Sequence, residues 1–120
     1  MSADQPEVLD PSQVEDLRGV DGGAMLARLV GMYLAKTPDR LKLLRLHVEA
    51  KNFIDIGREA HTLKGASGSI GAARVADTCA QIEVARKAKD EKRLEELMDA
   101  LEAEYARARQ ALQAMAGPAT

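Results

Sequence analysis

Tryptophan is absent from this chain of 120 residues, phenylalanine occurs once and tyrosine twice, so aromatic side chains make up only 2%. A core drawn from the 46% of hydrophobic residues must therefore be Leu, Ala, Val, Ile and Met. Such residues suit closely packed helices, whereas sheets favour β-branched and aromatic ones. Cysteine occurs once, as Cys79, which excludes an intrachain disulfide framework and a cysteine-based zinc site. A reducing cytoplasm is the expected compartment, and Cys79 is read as packed core. Neither sign of charge dominates. With 17 Lys and Arg against 19 Asp and Glu, the net charge of −2 lacks the surplus of a general nucleic-acid binder. No run of about 18 apolar residues exists to span a membrane, and the N-terminus lacks a signal-peptide layout. The two histidines lie far apart in sequence, so no metal site is expected. His47 is read as a partly exposed rim residue.

What the chain does contain is helical periodicity. Residues 1–9 are read as a flexible terminus. Asp10 is a helix N-cap with Pro11 at the first helical position, where its missing N–H does no harm. Val14 and Leu17 lay this short helix across the end of the next elements. After the turn Val20-Asp21-Gly22-Gly23, a stripe of Leu26, Val30, Tyr33, Thr37, Leu41, Leu44 and Val48 keeps its phase through Pro38. One long helix kinked at the proline is expected, rather than two helices. Lys51-Asn52 ends it, with Asn52 taking the left-handed conformation or capping the next helix.

A helix over about 53–69 and another over about 72–88 come next, the latter burying Val75, Cys79 and Ile82. Asp90 caps a last helix with the stripe Leu94, Met98, Leu101, Tyr105, Ala108, Leu112 and Met115. Glu91 at its start and Arg107 and Arg109 near its end complement the helix dipole, and Gly117-Pro118 stops it. Nothing alternates with period two, so no strand is expected. Short loops force antiparallel neighbours. The fold expected is all-α: an up-down-up-down four-helix bundle over residues 10–116 with a short extra N-terminal helix, followed by a flexible tail over 117–120. Beginning at Met1, the chain is expected to be self-contained.

The run Arg58-Glu59-Ala60-His61-Thr62-Leu63-Lys64-Gly65-Ala66-Ser67-Gly68-Ser69-Ile70-Gly71-Ala72 stands out. At about 3.6 residues per turn, His61, Lys64, Gly65 and Gly68 share one face while Ile56, Ala60, Leu63 and Ser67 share another. Glycine inside a helix costs roughly 0.5–1 kcal/mol relative to alanine. Two glycines beside a histidine are explained by the close approach of another molecule. Arg58 and Ile54, near the same face, would form a mixed basic and apolar rim.

His61-Thr62-Leu63-Lys64-Gly65, followed by small residues and then Ile70-Gly71-Ala72, resembles the signature of histidine phosphotransfer (HPt) domains. Asp21-Gly22-Gly23 and Thr37-Pro38 look like that family's Gly-rich lead-in and Pro-kinked first long helix. Two loops depart from the pattern, Asp-Gly-Gly for the commoner Gly-Gly-Asp and Lys51-Asn52 for Gly-Asp. Neither touches the chemistry. The resemblance implies a multistep phosphorelay. His61 would accept a phosphoryl group from a receiver-domain aspartate and pass it to another receiver, with response-regulator receivers and a hybrid histidine kinase as partners.

Imidazole suits that task because it is partly neutral, hence nucleophilic, near pH 7. It needs one ring nitrogen free, the other held by an acceptor, and a cation near the phosphoryl oxygens. Lys64, three residues on, can supply that cation. The acceptor cannot be found by phase. The resemblance implies Glu83, because the family places Glu or Gln after an apolar residue in the next helix, here Ile82-Glu83. Gly65 and Gly68 give clearance for the partner, with Ile54 and Arg58 at its docking rim. No Gly-rich phosphate loop is present, so no autokinase activity and no cofactor are expected, and a divalent metal only on the receiver. A monomer is expected. The competing readings are a helical adaptor or dimerisation module that carries no phosphate, and a receiver phosphatase using Gln81 or Glu83.

Overall fold

The computed structural model describes residues 5–116. Five α-helices are formed: α1 Pro11–Arg18, α2 Ala24–Ala50, α3 Phe53–Ile70, α4 Ala73–Lys87 and α5 Glu91–Ala116, with a 3-10 turn over Asp21–Gly23 before α2. No strand occurs among the described residues. α2 packs on α3, α3 on α4, α4 on α5, and α5 returns to α2, closing the ring of an antiparallel four-helix bundle. Connections of two or three residues leave no other arrangement open.

Each helix begins and ends for a local reason. Asp10 caps α1, its carboxylate accepting from the backbone N–H of Ser12 and Gln13. These bonds, with the Ser12 hydroxyl foremost, hold the Asp10 carboxyl below its ordinary value. α2 runs through Pro38 as one helix, and Thr37 Oγ1 donates to the Tyr33 carbonyl at 2.6 Å one turn before the proline. Lys51 ends α2 in the left-handed conformation at φ 59°, and Asn52 makes no side-chain cap bond. The expectation for Asn52 is thus corrected. Lys51 bears the backbone strain, and its Nζ meets Glu91 Oε1 at 2.9 Å across the bundle end. Gly71, at φ +84°, closes α3, and α1 seats on this turn: Asp10 N–H donates to the Gly71 carbonyl at 2.7 Å. A Cβ at Gly71 would stand 3.1 Å from Val14, which is fully buried. Asp90 caps α5 through the Arg93 N–H.

The core follows the stripes. All seven α2 residues named from periodicity are buried, as are Ile56, Ala60, Leu63 and Ser67 on α3 and Val75, Cys79 and Ile82 on α4. Burial pushes the Cys79 thiol up to about 12, consistent with inert packing. On α5 the buried stripe runs from Leu94 to Leu112, but Met115 is 37% exposed because it has passed the end of the bundle. Arg107 and Arg109 also fall short of the last turn, which holds no basic residue. On α5 two buried residues had not been expected, Leu97 and Glu104. Glu104 is tolerated because Arg74 Nε stands 3.3 Å from its Oε2 and Arg107 pairs with the other oxygen. Arg74 Nε also donates to the Pro6 carbonyl at 3.0 Å, and Val8 and Leu9 pack against the core. Residues 1–4 of the expected N-terminal segment, and Gly117-Pro118 with the rest of the expected tail, lie outside the described residues.

Candidate functional site

The inward residues of α3 fix which side of that helix faces out. With Ile56, Gly57, Ala60, Leu63, Ser67 and Ile70 buried, His61, Ile54, Arg58, Gly65 and Gly68 are exposed on the opposite side and Lys64 stands at the edge. The His61 side chain is 71% exposed, and Ile54 is an apolar residue left 73% exposed. A Cβ built on Gly65 or Gly68 meets nothing within 4 Å. These glycines are therefore not required by packing inside the chain. Beneath them, the Tyr33 hydroxyl and Ser67 Oγ lie 2.7 Å apart, joining α2 to α3 in the core. Burial raises the Tyr33 phenol well above its ordinary range, so it stays neutral.

α4 supplies the second half of the site. Glu83 Oε2 stands 3.3 Å from His61 Nδ1, and Glu83 Oε1 stands 2.6 Å from Lys64 Nζ. The carboxylate is only 20% exposed. Burial alone would raise its pKa, but contact with Lys64 and His61 outweighs this and holds the Glu83 pKa below its ordinary value. Glu83 is thus an anion, and an anion beside Nδ1 favours the tautomer that carries its proton there. Nε2 is then the nitrogen with the free lone pair. Lys64 does not stand free toward solvent; it is paired with Glu83.

The residues named for phosphotransfer and docking, His61, Lys64, Glu83, Ile54, Arg58, Gly65 and Gly68, are found on or beside one surface formed by α3 and α4. The residues that sequence reasoning missed are Gly57 and Arg86. Gly57 is buried one turn before His61, and a Cβ there would lie 2.5 Å from Arg86 Cζ and 2.8 Å from Arg86 Nη2. A glycine inside a helix four residues before the histidine was the available signal. Its cause lies on another helix. Gln81 points elsewhere: its amide donates to Asp77 at 2.9 Å and accepts from Arg93 at 3.0 Å on the α5 side of α4. His47, partly exposed, has Nδ1 4.0 Å from Asp55 Oδ2. No cluster of three or more metal-ligating side chains occurs among the described residues.

The sequence model of the Hpt domain family matches residues 28–111. The chain belongs to the Hpt domain family. Its function is accordingly that of a phosphorelay carrier, and its partners are the receiver domains and kinases that Hpt domains serve in general. Solved structures agree in fold. Histidine-containing phosphotransfer protein B (HptB) from Pseudomonas aeruginosa PAO1 is similar at 24% identity and a TM-score of 0.82, covering 94% of this chain and 95% of that one. The histidine-containing phosphotransfer protein MtHPt2 from Medicago truncatula is similar at 24% identity and a TM-score of 0.82, covering 90% and 76%. A histidine-containing phosphotransfer protein proposed from rice matches at 21% identity and a TM-score of 0.81, covering 90% and 80%. No curated protein sequence matches this Hpt domain significantly. No described helix is long and apolar enough to cross a membrane.

Proposed function

We propose that His61 is the phosphoryl acceptor of this Hpt domain, that Glu83 orients it, and that residues 10–116 are the functional unit. The observation that carries this reading is the exposed imidazole whose Nδ1 alone is engaged, 3.3 Å from the Glu83 carboxylate. The Nε2 lone pair forms the N–P bond as the P–O bond of a receiver's aspartyl phosphate breaks, and the electron pair returns to the receiver's carboxylate. The ring carries a positive charge at that moment. Its Nδ1 proton stays in the bond to Glu83, which offsets the charge. The reverse sequence delivers the group to a second receiver. The chain is a carrier without autokinase activity, monomeric and cytoplasmic, supplied by a hybrid histidine kinase; any divalent metal belongs to the receiver.

Docking uses Ile54 and Arg58 at one end of the face and Gly65 and Gly68 at the other. A groove of about 230 Å³ continues the face onto α2, where Met32, Lys36 and Arg40 line it opposite Ala66 and Ser69. Apolar contact flanked by cations suits a receiver surface around an acidic pocket. The rival amide of Gln81 is already bonded on both its atoms.

The test is transfer of label from a phosphorylated receiver. Wild-type protein is expected to gain an acid-labile phosphate and His61→Gln to gain none. Loss of label without transfer would indicate a phosphatase, no change an adaptor, and label on the His61→Gln variant would end this mechanism.

A further inference from the structure

Arg86 is placed on α4 where a structural arginine would be given a carboxylate, and among the described residues it has none. Its Nε is sealed from solvent and meets no acceptor among the described residues. The ion pairs of this face are made by other cations, Arg58 with Asp55 at 3.7 Å and Lys64 with Glu83 at 2.6 Å. Burying a guanidinium nitrogen without a partner is unfavourable, and α3 gives up a side chain at Gly57 to make the space. Both features need a cause outside the resting protein.

Geometry supplies one. Gly57 precedes His61 by four residues, about 6 Å along the helix axis. Side chains on a helix lean toward its N-terminus and cover the turn before their own Cα. By that rule a side chain at 61 covers the turn that holds Gly57, beside which the Arg86 guanidinium lies. Lys64 follows His61 by three residues, but its charge is already neutralised by Glu83. A phosphoryl group on Nε2 brings about two negative charges to a site where the uncommitted cation is Arg86. A planar guanidinium fork matches phosphoryl oxygens better than an ammonium does.

We propose that Arg86, seated over Gly57, is the residue that binds the phosphoryl oxygens of phospho-His61, while Lys64 serves chiefly to hold Glu83. This rests on His61 being the acceptor. It assigns the contact to a residue outside the motif and predicts a site that becomes fully paired only when loaded. The charged groups facing the bound phosphoryl are then Arg58 and Lys64 from α3 and Glu83 and Arg86 from α4.

The experiment loads the full chain with phosphoramidate, a small donor whose N–P bond breaks with loss of ammonia as the His61 N–P bond forms. The 31P resonance of phospho-His61 is followed across pH in wild type, Arg86→Gln, Arg86→Lys and Lys64→Gln, after circular dichroism shows that each variant is folded. An adjacent cation lowers the pH at which a phosphoryl group takes its last proton. The Arg86→Gln midpoint is expected about one unit above wild type. Arg86→Lys should recover part of that shift, and Lys64→Gln should move the midpoint less than Arg86→Gln does. A midpoint unmoved in Arg86→Gln overturns the proposal while leaving His61 as acceptor. A chain that takes phosphoryl from neither phosphoramidate nor a phosphorylated receiver overturns both readings.

Discussion

At the scale of single residues, the site is one carboxylate shared by two cationic or potentially cationic neighbours. Glu83 holds the imidazole with one oxygen and the Lys64 ammonium with the other. Its pKa is held below the ordinary carboxylate value, so folding favours its charged form. The stability this arrangement contributes is present in full above the ordinary glutamate range, near 4.3, and is lost as the pH falls through the lowered value of the folded state. Glu83→Gln removes the charge and keeps a hydrogen-bond acceptor. Urea unfolding is expected to show the variant less stable than wild type at pH 7, with the gap narrowing in acid; a gap that widens on acidification would refute the assignment. Residues at this scale were partly legible from sequence. His61, Lys64 and the two glycines fall on one face by counting alone. The bond to Glu83 could not be found that way, because α4's distance and rotation about α3 are set by side chains packed between them. Arg86 escaped notice for the same reason.

On the scale of a helix, α3 reconciles two demands. Its inner face must pack, and its outer face must admit a partner. Gly57 answers the first, since a side chain there collides with Arg86. Gly65 and Gly68 have open space around a Cβ, so they answer the second. The same residue type thus has opposite consequences along one helix. Gly68→Ala should raise thermal stability by roughly 0.5–1 kcal/mol, the helix-propensity difference. Gly68→Arg should leave the melting temperature near wild type yet slow phosphotransfer by tenfold or more, read from the rate of label exchange with a receiver. If Gly68→Arg melts well below wild type with transfer rate intact, the glycine serves the fold after all. Elements were the most legible scale. The α2 stripe kept its three-and-four spacing through Pro38, and the helix is continuous there. Boundaries were less so. Nothing local required Lys51 to take the left-handed turn in place of Asn52, and its contact with Glu91 belongs to the bundle.

For the whole molecule, four helices with few aromatics must hold a surface histidine at fixed orientation to α4. The rigidity comes from interdigitated aliphatic residues such as Leu44, Leu63, Ile82 and Leu101, each at most 1% exposed. Packing of this kind leaves few voids, so truncation is felt throughout. Leu101→Ala is expected to cost about 2–5 kcal/mol in denaturant unfolding. Transfer per folded molecule should persist at low temperature, since residue 101 lies on α5 while His61 and Glu83 lie on α3 and α4. Polar contacts close the bundle where apolar ones do not reach. Arg45 of α2 spans Asp99 and Glu102 of α5 at 2.8–2.9 Å, and Arg74 of α4 meets buried Glu104. By itself the sequence determined the helix number, the buried stripes and the histidine face, because those are consequences of periodicity and short loops within single segments. Tertiary structure alone decided which acid steadies His61, which cation stays unpaired beside it, and why Glu104 can be buried. Each of these is a contact between side chains far apart in sequence, fixed only when packing sets how the helices face one another.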